Sequence, residues 1–155
     1  MIQRDYIDRL IEQCAEALRR MLRLRQAGQH DVALHEVEEA TERLLGPLRP
    51  VLERLEATSA VAMAGPNERD RVRMYAALVG EQGLIHKARG DSLRAYLSSR
   101  RALELLAAVH LAGTRLSGED LGRIAVLSRI VDVGELDERY GAALRGMPPG
   151  SGTSA

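Results

Sequence analysis

Apolar side chains recur at steps of three and four along most of the chain, which is the pattern of helices with one buried face. Ile7, Leu10, Ile11, Cys14, Leu18, Met21 and Leu22 form one such stripe and predict a helix over 5–27. Gly28 ends it, because glycine accepts the left-handed conformation of a helix C-terminal cap. Val32, Ala33, Val37, Ala40, Leu44 and Leu45 predict a second helix to about Leu45, with Asp31 capping or charge-complementing its start. Gly46-Pro47 breaks the chain, and a third helix is expected over 48–63, with Leu48, Val51, Leu52 and Leu55 inward. Pro50 is tolerated there because it lies in the first turn. After a turn at 64–67, a fourth helix over 68–89 runs through Val72, Tyr75, Ala76, Val79, Gly83 and His86. Gly90-Asp91 separates it from a fifth over 92–112, through Leu93, Tyr96, Leu97, Leu103 and Leu106. Ser117 followed by Asp120 predicts a capping box that opens a sixth helix over 118–131, and Gly134 to Leu144 reads as a short seventh. The pattern predicts an all-α fold of six or seven antiparallel helices in a single domain, 1–145. The remaining 146–155, GMPPGSGTSA, has too little apolar surface to offset ordering entropy and is expected to be a disordered tail.

Composition narrows the class. Of 155 residues, none is Phe or Trp and only four are Tyr, which excludes an all-β domain. Twenty-two Lys and Arg balance twenty-two Asp and Glu, so net charge gives no reason to expect nucleic acid or an anionic membrane as partner. No apolar run approaches the ~20 residues that span a bilayer. The single Cys14 excludes an intramolecular disulfide and a Cys-built zinc site. The opening MIQRDYIDRL mixes charges of both signs, so no signal-peptide pattern is expected and the location expected is cytoplasmic.

Placing Gly28 on Gly90, an offset of 62, also places Ala33 on Ala95 and Ala40 on Ala102. Alanines seven apart share one side of a helix and let a neighbouring helix approach closely. This pattern resembles the tetratricopeptide repeat (TPR), whose unit has a small residue midway along its first helix, a turn glycine, and small residues seven apart on its second. Gly83, Gly90, Ala95 and Ala102 match in the second unit, and Gly28, Ala33 and Ala40 in the first. Met21 replaces the small residue, the early Trp is missing, and the spacing exceeds the family's usual 34 or so residues. The opening Met1 to Glu12, with Leu24 to Gln29 and an acidic second helix, also resembles a group of small bacterial proteins built from helical hairpins. That resemblance implies bacterial origin and cytoplasmic location, and no chemistry.

The densest polar cluster is His30, Asp31, His35, Glu36, Glu38 and Glu39, of which Asp31, His35 and Glu39 share one helix face. All lie on one element, whereas metal sites draw ligands from several, so a solvated acidic face is expected and no metal or cofactor. His86 and His110 lie on apolar helix sides and read as core or boundary histidines, and Cys14 reads as a small core hydrophobe. There is no phosphate loop, nucleophile elbow or His-Glu-x-x-His, so no enzyme activity is expected. Arg19, Arg20, Arg23 and Arg25, and Arg69, Arg71 and Arg73, form two basic clusters. Phosphate or nucleic-acid binding through them is the less favoured reading, because no aromatic is interleaved for stacking.

The function expected is an adaptor or scaffold that binds a protein or peptide in a helical-repeat groove. The repeat register places Leu18, Arg19, Leu22 and Arg25 from the first unit in that groove, and Glu81, Leu84 and Lys87 from the second. Arg25 and Lys87 are expected to orient the partner. The alternative is a structural homodimer without a peptide groove, suggested by the very apolar segment ALELLAAVHLA at 102–112.

Overall fold

A computed structural model describes residues 2–147 of the chain. Among the described residues there are eight α-helices: α1 (Ile2–Gln26), α2 (His30–Leu45), α3 (Arg49–Arg54), α4 (Ala57–Ala64), α5 (Arg69–Ala88), α6 (Ser92–Leu111), α7 (Gly118–Leu127) and α8 (Glu138–Arg145). Short 3-10 turns precede α3, α5 and α8, and no strand occurs among the described residues.

Three helices end in the same way. At Gly28, Gly90 and Gly113 φ is +76°, +85° and +98°, a region that only glycine adopts cheaply. In each turn the glycine N–H donates three residues back, and the next N–H donates five residues back: Gly28 to Arg25 and Gln29 to Leu24, Gly90 to Lys87 and Asp91 to His86, Gly113 to His110 and Thr114 to Val109. This pair of hydrogen bonds satisfies two of the orphan carbonyls of the last helical turn. The first two turns make hairpins of α1 with α2 and of α5 with α6.

The helix expected over 48–63 is two helices. Leu55 (ψ 154°) and Glu56 (ψ 147°) are extended, and the Glu56 carboxylate caps α4 by accepting from the Thr58 N–H at 3.1 Å. The break leaves carbonyls of α3 open, and Arg101 of α6 donates Nη2 to Leu52 O and Leu55 O, each at 2.7 Å. Arg71 does the same for the end of α2, bonding Leu44 O at 2.6 and 2.9 Å and Leu45 O at 3.2 Å. The expected seventh helix starts at Glu138, after a 3-10 turn capped by Asp132, with the Asp137 carboxylate capping α8 through the Arg139 N–H. Of the expected tail, Gly146 caps α8 and Met147 packs against the core, while 148–155 lie outside the described residues.

α5 is the centre of the molecule. It packs directly on α1 and α2 on one side and along α6 on the other, with α4 and α7 also against it. The 48–64 segment therefore does not separate the hairpins, since α3 lies against α2 and α4 against α6. Enclosure explains why α5 buries Val72, Tyr75, Ala76, Ala77, Leu78, Val79 and Ile85 around most of its circumference. The 102–112 segment has the same cause: Ala102, Leu103, Leu105, Leu106, Ala107, Ala108 and Val109 are buried between α5, α4, α7 and α8. Its apolarity up to Val109 serves the core of this chain, and Leu111 beyond it is 49% exposed.

Candidate binding groove

α1 carries a wider apolar arc than the core uses. Ile7, Cys14, Ala17 and Met21 are buried, whereas Ile11 and Leu18 are half-buried and Leu22 is 39% exposed. That uncovered edge faces a groove of about 580 Å³ between α1, α5 and α7. Asp8, Ile11, Ala15, Leu18, Arg19 and Leu22 come from α1, and Asp70, Arg73, Met74, Ala77 and Glu81 from α5. Each set repeats at steps of three and four, so each is one helical face. The start of α7 adds Glu119, Asp120 and Arg123, with Ser117 just before it. The groove continues into a more apolar compartment of about 320 Å³ lined by Gly80, Leu84, Gly122, Val126 and Leu127, which shares Glu81, Glu119 and Arg123.

Charges stitch this site together. Asp120, only 4% exposed, accepts from the Ser117 N–H at 2.8 Å in the capping box and from Arg73 Nε at 2.9 Å and Nη2 at 2.5 Å. Arg73 also bonds Asp70 at 3.1 Å, and Asp70 accepts from Arg4 at 2.9 Å. These bonds hold the Asp70 carboxyl below the usual carboxylate range, the bond from Arg4 contributing most. Glu81 accepts from Arg25 Nε at 2.5 Å, yet burial outweighs that pairing and pushes its carboxyl up. Arg123 stands 4.0 Å from Asp120, and among the described residues Arg19 makes no ion pair.

Of the seven residues that the repeat register placed in a groove, Leu18, Arg19, Leu22 and Glu81 line the large compartment and Leu84 the apolar one. Arg25 lines neither; it bonds Glu81 instead, a link between the two hairpins. Lys87 is exposed and also outside both compartments. The register missed Ile11 and Met74, and it missed the third wall. The helix of that wall was expected from the Ser117–Asp120 box, but nothing in the sequence set it against α5.

The other sequence candidates resolve into structural roles. In the acidic cluster, Glu36 meets Arg20, Glu38 meets Arg49, Asp31 meets Arg89, and His35 meets Glu39 at 3.0 Å. Of the two basic clusters, Arg20, Arg25, Arg71 and Arg73 meet carboxylates, whereas Arg19, Arg23 and Arg69 make no ion pair among the described residues. Cys14 is buried, which pushes its thiol up to about 12. His86 is buried with Nδ1 unpartnered, and burial depresses its pKa. His110, expected at the core or its boundary, is exposed, because the apolar arc of α6 ends at Val109.

No helix among the described residues is long and apolar enough to cross a membrane. No protein-family model matches the chain, nor does any curated protein or solved structure.

Proposed function

We propose that the chain is an adaptor of TPR-like organisation that holds a protein segment in the groove between α1, α5 and α7. One observation carries this reading: the floor of Ile11, Leu18, Leu22 and Met74 is left uncovered between two arginines, Arg19 and Arg123, that are not tightly paired. The segment that complements it is an amphipathic helix with apolar residues at helical spacing and carboxylates toward those arginines. Apolar burial would supply most of the affinity, at about 1.5–3 kcal/mol for each fully desolvated side chain.

Selection of a random helical-peptide library on the purified protein tests this. Enriched peptides are expected to combine apolar residues at three- and four-residue steps with acidic ones, and to protect amides of α1, α5 and α7 from exchange. Leu22→Asp lies at an exposed position, so it should weaken capture at least tenfold while the circular dichroism spectrum stays unchanged. Selection of peptides that protect another surface, or that ignore Leu22→Asp, overturns the reading.

A further inference from the structure

We infer that Arg69 heads a second, separate site, which takes a small monocarboxylate with an apolar chain. Every other half-buried arginine among the described residues faces a carboxylate or bonds a backbone carbonyl. Arg69 does neither: its guanidinium has no hydrogen-bond partner among the described residues, and with Nε closed to solvent, Nη1 and Nη2 are the nitrogens that a ligand can reach. The carboxylates beside it in sequence are already engaged, Glu68 by Arg71 and Asp70 by Arg4 and Arg73.

Arg69 lines a cleft of about 310 Å³ between α4 and the end of α6. The walls are apolar: Val61 and Ala62 on one side, and Ala108, Leu111 and Ala112 on the other. A carboxylate matches the Nη1–Nη2 edge of the guanidinium with two parallel bonds, and its chain would lie along those walls. A phosphate dianion fits less well, because the one hydroxyl in the lining, that of Thr58, is donated to Glu56.

The probe is octanoate, titrated into the intact protein and followed by backbone amide shifts, with 1-octanol as the uncharged control. Saturable binding is expected, with shifts centred on Ala62, Gly65, Leu111 and Ala112. Octanol should bind at least tenfold more weakly. From hexanoate to octanoate the affinity should rise about fourfold per methylene. Arg69→Gln should weaken octanoate at least tenfold. Ala62→Phe, at an exposed position, should block the cleft while the amide spectrum keeps its folded dispersion. The site is refuted by unsaturable octanoate binding, by equal affinity for octanol, by binding indifferent to both substitutions, or by shifts centred on the α1–α5–α7 groove instead.

Discussion

Two glycines of the same chain sit in helices for opposite reasons. A Cβ added at Gly83 would fall 2.5 Å from Ser99 Oγ, 3.1 Å from Ser99 N and 3.3 Å from Ala95 O, so α5 and α6 touch there through bare backbone. A Cβ at Gly122 would meet nothing within 4 Å. Gly83→Ala is therefore expected to cost about 1–3 kcal/mol through overpacking, despite the better helix propensity of alanine. Gly122→Ala should gain about 0.5–1 kcal/mol, since only the propensity changes. Urea denaturation of the two variants checks both signs. The small-residue pattern was legible at Gly83, Ala95 and Ala102 because close approach demands small side chains whatever surrounds them. Arg25 misled for a related reason: a charge at a regular helical position looks the same whether it faces solvent or a carboxylate from a distant helix, and Glu81 is 56 residues away.

At the level of elements, boundaries set by backbone chemistry were readable and those set by distant side chains were not. Gly28, Gly90 and the Ser117–Asp120 box mark helix ends through local φ and capping, and the ends fall there. Nothing apolar distinguishes Leu55–Glu56 from the middle of a helix. The break there is closed partly by Arg101, 46 residues away, whose two 2.7 Å bonds replace those that a continuous helix would have made. Arg71 closes α2 in the same manner, and Arg49 bonds Glu38, Glu42 and Glu53 together. A guanidinium can hold several acceptors at once and an ammonium does so less rigidly, which gives the use of 21 arginines against the single lysine, Lys87, a structural purpose. Arg101→Met is accordingly expected to cost about 2 kcal/mol, since bonds from a charged donor to otherwise open carbonyls are lost. Amide exchange should accelerate over 52–60 and stay slow over 72–79. Uniform acceleration of both regions would show that Arg101 supports global stability and not this break.

For the whole molecule, the arrangement of α7 decides whether a three-walled groove exists at all. α7 touches α5 and α6 over a short length, and the sequence placed its start correctly and its end four residues too late, without indicating which neighbour it would meet. The groove face of α1 was partly legible because it extends an amphipathic stripe, and Glu81 and Leu84 of α5 through the repeat register, whereas the α7 wall depends on a charge relay that no periodicity records. Arg4, Asp70, Arg73 and Asp120 run in sequence from α1 across α5 to the capping box of α7. Asp120 is the buried end of that relay and closes the cap as well, so Asp120→Ala should cost about 2–4 kcal/mol, combining a lost cap with a broken partly buried ion pair. Arg4 is exposed, and Arg4→Ala should cost less than about 0.5 kcal/mol. A double-mutant cycle of Asp120→Ala with Arg73→Met should return a coupling of about 1–3 kcal/mol. In the Asp120→Ala protein, amides of α7 should exchange fast while those of α1 and α2 remain protected, because the α1–α2 hairpin is held by Met21, Ala33, Val37 and Ala40 independently of the relay. Negligible coupling, or loss of protection in both regions together, would mean that α7 is held by Ile124 and Leu127 in the core and that its position as a groove wall does not depend on charge.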